Sequence, residues 1–182
     1  MVKGGKIGPA PNISLVYPAS CKPDDVIASQ NANAIRSWLY LDMSVHGVYN
    51  NLVWAYLEEH DAAPVFSEGD EEALKNGNPD FIGFNYYNTS TVEDFPLQDP
   101  LQGSLQGPLK NKEIKSAKAD QQNQDGEKGF YKAFSNPNLA STEFGWEIDP
   151  VGFRSTAREI YSRYRLPLIV TENGLGAYDT LT

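Results

Sequence analysis

The nine residues Leu166-Pro167-Leu168-Ile169-Val170-Thr171-Glu172-Asn173-Gly174 run from a continuous apolar segment straight into a carboxylate and a turn. A short uninterrupted apolar run of this kind predicts a strand of a parallel sheet buried on both faces. Reactive groups of α/β sheets collect at the carboxyl ends of such strands. Glu172 shares strand parity with Leu168 and Val170, so alternation predicts that it continues their line and emerges at the mouth of the core they face. Asn173-Gly174 then turns the chain without steric penalty. A strand-end glutamate is also a common surface or capping residue, so this stretch alone leaves both roles open.

Working outward, Asp149 and Pro150 predict a helix start, a capping carboxylate followed by a residue preset for the first turn. Phe153, Ala157, Ile160 (with Tyr161) and Tyr164 supply its apolar stripe. Farther upstream, Asp80-Phe81-Ile82-Gly83-Phe84-Asn85-Tyr86-Tyr87 reads as a second strand. Asn85 and Tyr87 share one of its faces, and Phe84 and Tyr86 the other. A phenol beside a carboxylate can donate to it and hold it ionised, so Tyr87 is a candidate companion for Glu172. A further strand is predicted from Lys6-Ile7-Gly8 through Asn12 to Tyr17, interrupted by Pro9 and Pro11. Between the strands, Asp24 and Asp25 offer a helix cap ahead of a stripe of Ile27, Ala34 (with Ile35) and Trp38. Leu52, Val53, Tyr56 and Leu57 share a second helical face, and Ser67 with Asp70 resembles a capping box for a short helix stopping at Gly77. Strands alternating with helices predict an α/β fold with a parallel sheet.

A polar stretch from about residue 92 to 142 breaks this rhythm. It holds the near-repeat Leu101-Gln102-Gly103 and Leu105-Gln106-Gly107, then a run rich in lysine, glutamine and aspartate. Its composition predicts a solvated loop over a binding face, with an interdomain linker as the alternative. Lys110, Lys112, Lys115 and Lys118 read as a solvated face rather than a phosphate site.

At 182 residues and 40% hydrophobic, the chain can bury one sizeable core, so a single domain spanning 1–182 is expected. It falls short of the roughly 250 residues of a complete (β/α)₈ barrel. A formal net charge of -9 argues against a nucleic-acid partner. No apolar run approaches the ~20 residues of a membrane span, and Met1-Val2-Lys3-Gly4-Gly5-Lys6 lacks a signal peptide's apolar centre. The expected setting is the cytoplasm, where the single cysteine, Cys21, stays a thiol. His46 and His60 show no metal-ligand spacing and read as structural.

Four segments together resemble glycoside hydrolase family 1. Thr171-Glu172-Asn173-Gly174 after Leu168-Ile169-Val170 is similar to its nucleophile signature, and Phe81 to Tyr87 resembles its sixth barrel strand. Gly145-Trp146-Glu147-Ile148-Asp149-Pro150 resembles the segment before its seventh helix, and Gly5-Lys6-Ile7-Gly8 through Tyr17-Pro18 its fifth strand. They occur in family order over nearly the whole chain. The resemblance implies part of a (β/α)₈ TIM barrel, about strands five to seven with their helices, from a retaining β-glycosidase. It implies that Glu172 attacks the anomeric carbon, that Tyr87 hydrogen-bonds it, that Asn85 lines the sugar subsite and that Trp146 lies at the aglycone side. A core role for Trp146 is the alternative. Gly8-Pro9-Ala10-Pro11-Asn12 and Gly174-Leu175-Gly176-Ala177-Tyr178-Asp179 resemble the 6-phospho-β-glucosidase branch, whose phosphate loop would fall beyond Thr182.

Retaining hydrolysis uses two carboxyl groups roughly 5 Å apart. The family takes its acid/base from an Asn-Glu-Pro motif, and no Asn-Glu dipeptide occurs in this sequence. Neither Glu143 nor Glu147 inherits that role by resemblance. Strands one to four and eight also lack counterparts, and Val2-Lys3-Gly4 reads like the middle of a helix-to-strand connection. The expected function is therefore a β-glucoside or 6-phospho-β-glucoside hydrolase fragment, active when completed. A non-catalytic carbohydrate-binding fragment and an inactive truncation product are the alternatives. The expected partners are a β-linked sugar and either a second copy or the missing barrel half, with no metal or organic cofactor.

Overall fold

A computed structural model describes residues 4–97 and 126–178. The near-repeat at 101–107 and the four lysines at 110–118 lie outside the described residues.

The first predicted strand divides in two. Residues 9–13 run beside the second strand of the chain, with Gly83 N–H donating to the Pro9 carbonyl oxygen, Asn85 N–H to that of Pro11, and Ile13 N–H to that of Asn85. The chain then leaves this register, and β1 (Val16–Pro18) pairs elsewhere. Pro9 and Pro11 have no N–H to give and serve here only as acceptors, which suits an outer strand.

The helix that follows, α1 (Pro23–Asn33), passes through a π-helical turn (Ala34–Trp38) into α2 (Leu39–His46). Its start differs from expectation: Lys22 is the N-cap without a side-chain bond, and Asp24 and Asp25 sit in the first turn, where negative charge favours the helix dipole. The stripe differs too. Ile27 is exposed, while Asp25, Ala28, Ser29 and Ala32 are buried. The inner face of α1 meets the backbone of β1, so it needs polar groups. Asn33 Oδ1 accepts from Val16 N–H, and Asn33 Nδ2 and Ser29 Oγ both donate to the Val16 carbonyl oxygen. Gly47 ends α2 in the left-handed conformation.

Next come α3 (Asn51–Glu59) and α4 (Asp70–Lys75). Only half of the predicted capping box forms, because Gly69 is the N-cap and the Asp70 carboxylate reaches back to the Ser67 N–H. The second predicted strand is present as β2 (Ile82–Tyr86), with Ile82, Phe84 and Tyr86 in the main core beside Ile13, Trp38, Leu41, Ile160 and Tyr164.

Both ends of the expected polar loop are built into a small sheet. It comprises β3 (Ser90–Glu93), β4 (Gly126–Glu127) and β5 (Tyr131–Phe134), joined to β1 in the order β1-β3-β5-β4. β1 and β3 are parallel, and the β4–β5 hairpin is antiparallel. Val16, Ala28, Ala32, Val92 and Tyr131 form a second core beneath it. The periodicity was faint because these strands are only two to four residues long.

The last unit, α5 (Pro150–Tyr164) followed by β6 (Leu168–Asn173), matches the predicted helix-then-strand order. β6 lies parallel to β2, so residues 9–13, β2 and β6 make a three-strand parallel array. The prediction that β6 is buried on both faces fails. Among the described residues β6 pairs with β2 alone and only its Leu168 packs on the core, so Ile169 and Val170 are 47% and 43% exposed.

Candidate active site

The site forms where β2 and β6 end together, and its geometry depends on an irregularity. Leu168 and Val170 pair with Ile82 and Phe84, whose side chains face the core. Strict alternation would send Glu172 to that same face. The register shifts between Phe84 and Asn85, so that Glu172 pairs with Asn85 and residue 171 is passed over. This bulge re-aims the carboxylate onto the face of Asn85 and Tyr87. The expectation that Glu172 continues the line of Leu168 and Val170 is thereby corrected.

Tyr87 Oη donates to Glu172 Oε2 at 2.7 Å. The hydrogen bond to Glu172, followed by burial, raises the phenol above its usual pKa, so it remains a donor through the neutral range. Glu172 Oε1 has no hydrogen-bond partner among the described residues, and the side chain is exposed. One oxygen is thus held and the other is open. Asn85 stands next to Glu172 in register and accepts at Oδ1 from Thr171 Oγ1 at 2.5 Å. With Oδ1 accepting from Thr171, the Asn85 Nδ2 group is left as the donor.

Trp146 lies against Tyr87, with ring centroids 5.4 Å apart and planes at 60°. It sits in a tight hairpin, in which Thr142 N–H donates to the Trp146 carbonyl oxygen and Trp146 N–H to Thr142 Oγ1. The rings continue beyond it: Phe144 is 5.8 Å from Trp146, and Tyr178 is 5.0 Å from Phe144. Phe144 and Tyr178 escaped the sequence reading, because Phe144 stands in the turn closed by Gly145 N–H on the Thr142 carbonyl oxygen, where no strand or helix period applies.

The other nearby carboxylates are engaged elsewhere. Glu143 Oε2 accepts from Tyr178 N–H, and Glu147 Oε1 accepts from Asn136 N–H. Glu147 Oε2 is buried without a partner, and burial raises the pKa of this carboxyl. His60 contacts Glu127 and the Tyr56 carbonyl oxygen, and the His46 ring lies tilted against Tyr164. Among the described residues no group of three or more His, Cys, Asp or Glu could hold a metal ion. A cleft of about 690 Å³ lined by Asn12, Arg36, Tyr56, Glu127 and Tyr131 includes none of Glu172, Tyr87 or Trp146. The hydrogen-bond geometry, not cavity size, marks the site, since Glu172 lies on an open sheet edge.

A buried knot supports the site from behind. The Asp149 carboxylate accepts from Gly152 N–H at 2.7 Å, Thr89 Oγ1 at 2.8 Å and Tyr17 Oη at 2.9 Å. Tyr86 Oη donates to the Asp149 carbonyl oxygen at 3.0 Å. Burial raises the Tyr17 and Tyr86 phenols to about 12, with Asp149 adding to the rise in both. A Cβ on Gly152 would lie 2.2 Å from Asp149 Oδ2, so only glycine allows this approach.

The sequence profile of Glycosyl hydrolase family 1 matches residues 1–182. This chain belongs to glycosyl hydrolase family 1. It is 39% identical over 178 residues to the aryl-phospho-beta-D-glucosidase BglC of Bacillus subtilis, covering 98% of this chain and 36% of that protein. It is 34% identical to a phospho-cellobiase of Klebsiella oxytoca, over 98% of this chain and 33% of the relative. The chain therefore spans about a third of the length of these relatives. A family 1 β-glucosidase structure from Thermotoga maritima superposes with a TM-score of 0.72 at 24% identity, over 98% of this chain and 33% of that one. The fold is thus part of the family's (β/α)₈ barrel, as expected, and the α/β assignment stands.

Proposed function

We propose that this family 1 chain carries the nucleophile half of a retaining β-glycosidase site. The observation that supports it best is the Tyr87–Glu172 pair, with Glu172 Oε2 held by a phenol at 2.7 Å and Oε1 open. Glu172 Oε1 attacks the anomeric carbon as the glycosidic bond breaks, and its electron pair leaves with the aglycone oxygen. A glycosyl ester results, which water then hydrolyses. Tyr87 steadies the carboxylate before attack, Asn85 donates to a sugar hydroxyl and Trp146 packs against the aglycone. The substrate is a β-glucoside, and the names of the sequence relatives support a 6-phosphorylated sugar and hence a cytoplasmic setting. No described helix is long and apolar enough to cross a membrane.

The second carboxylate of the reaction comes from outside these residues, because Glu143 and Glu147 are bound elsewhere and no Asn-Glu dipeptide is present. The exposed edge of β6 supports a partner, either a second copy or the rest of a barrel. A non-catalytic sugar-binding role is the second reading, favoured by the ring row beside Glu172.

Intact-mass spectrometry after incubation with a dinitrophenyl 2-fluoro-β-glucoside, with and without a 6-phosphate, separates the two. So good a leaving group needs little protonation, so the half-site should suffice. The expected result is one sugar adduct mapping to Glu172, formed faster with the phosphorylated reagent and absent in Glu172→Gln. Reversible binding with no adduct would replace catalysis by binding.

A further inference from the structure

We propose that His60, Tyr56 and Glu127 form a pH-sensitive latch that pins the β4–β5 hairpin to the end of α3 and so holds one wall of the cleft lined by Asn12 and Arg36. The latch is separate from the Glu172 site and does not rest on its reading.

The Glu127 carboxylate of β4 is gripped by two side chains from the end of α3. Tyr56 Oη donates to Oε2 at 2.7 Å, and His60 Nε2 lies 2.7 Å from Oε1. The other ring nitrogen, Nδ1, lies 2.8 Å from the Tyr56 carbonyl oxygen. The His60 and Tyr56 rings stack with centroids 4.1 Å apart, and Phe130 of the hairpin packs on Tyr56 at 4.8 Å.

The partners dictate the charge of the ring. Carbonyl and carboxylate oxygens only accept, so both ring nitrogens of His60 must donate, which only the imidazolium does. A neutral ring would turn a lone pair toward one of the two oxygens. His60 is also the C-cap of α3, where the helix dipole favours a cation. The bond to the Tyr56 carbonyl oxygen, then the one to Glu127, raises the histidine pKa against the opposing effect of burial. Glu127 faces the ring from β4 and Glu59 acts on it from α3, with Glu58 and Asp61 adjacent in sequence. The hairpin cations Lys128 and Lys132 lie over the Phe95 ring, and Arg36 acts on Tyr131. Burial, then the bond to Glu127, raises the Tyr56 phenol to about 12, so it stays a donor across the neutral range. The His60 arm of the latch is therefore fully made below the ordinary histidine pKa and is lost as pH rises through the raised one.

The hairpin supplies Gly126, Glu127, Phe130 and Tyr131 to the lining of the cleft of about 690 Å³. Asn12, on the same lining, bridges to Asn85 through the backbone. A hold on Glu127 thus governs how firmly a wall of that cleft stays in place.

The test is proton NMR titration of His60 with hydrogen exchange over residues 126–134, corrected for the intrinsic effect of pH. The full chain, Glu127→Gln and His60→Gln are compared. His46 is the only other histidine, so His60→Gln identifies the signal. In Glu127→Gln the His60 midpoint should fall by about half a unit, the scale of an exposed ion pair. Wild-type exchange should accelerate roughly twofold to fivefold as His60 loses its proton, and stay level in His60→Gln. A His60 midpoint that Glu127→Gln leaves unchanged overturns the proposal. So does hairpin exchange that ignores the His60 titration, or that accelerates equally in wild type and His60→Gln. Both side chains are 40% exposed, so either variant should fold, and each reads the latch without the other.

Discussion

Asp149 and Glu172 are carboxylates at neighbouring element ends, one opening α5 and the other closing β6. Asp149 is 7% exposed and accepts from Tyr17, Thr89 and Gly152. Glu172 is exposed and accepts from Tyr87 alone. The adjacent tyrosines of the 82–87 segment divide the same way, with Tyr86 buried in the Asp149 knot and Tyr87 on the open face. A carboxylate whose lone pairs are occupied by protein donors ties elements together, and one with an open oxygen can meet a substrate. Glu147 falls between them, with one oxygen bonded and the other buried alone.

The contrast breaks most readily at Asp149. Asp149→Ala strands the Tyr17 and Thr89 hydroxyls and the Gly152 N–H, and each buried unsatisfied donor costs about 1–3 kcal/mol. Urea denaturation should show a loss of about 3–5 kcal/mol, summed over those donors with some relaxation. A loss under about 1 kcal/mol would mean that the knot is not what holds α5 to β1 and β2.

Tyr87→Phe should behave oppositely. Its effect on stability should stay within about 0.5 kcal/mol, as for other surface changes. The adduct at Glu172 should form roughly tenfold more slowly, because the carboxylate loses its orienting donor. If stability falls and the labelling rate does not, Tyr87 belongs with the knot rather than the site.

Glu147 sharpens the comparison through pH. Burial raises its folded-state pKa above the unfolded value near 4.5, so the folded protein holds this proton more tightly than the unfolded chain. Stability therefore falls as pH rises from the unfolded to the folded pKa, and remains lower above it. Glu147→Gln cannot ionise and keeps an acceptor for Asn136 N–H. Thermal melts should show the variant gaining on wild type above that window, by no more than a few degrees, with the gain vanishing below pH ~4. A gain that persists at low pH would show that the penalty is steric rather than ionic.

Much of the fold was legible because the signals were local. Asp149-Pro150 with its 3.6-residue stripe marks α5, and the alternation in 81–87 separates Tyr86 from Tyr87. Motif resemblance marked Asn85, Tyr87, Trp146 and Glu172, and the structure brings all four together at one sheet end. The inner face of α1 misled because it serves backbone groups of β1 with Ser29 and Asn33, against the usual apolar pattern. The small sheet was hidden by strands too short to show a period.

The amino-acid order by itself determined where a carboxylate, a phenol and a turn would stand relative to their own elements. Such features depend on neighbours a few residues away. Tertiary structure decided which way Glu172 faces, through a bulge set by pairing with a strand some 85 residues distant. It also decided that β6 pairs with β2 alone among the described residues and that Phe144 and Tyr178 lie ring against ring. Register and exposure belong to pairs of segments rather than to either one, so no local pattern could carry them.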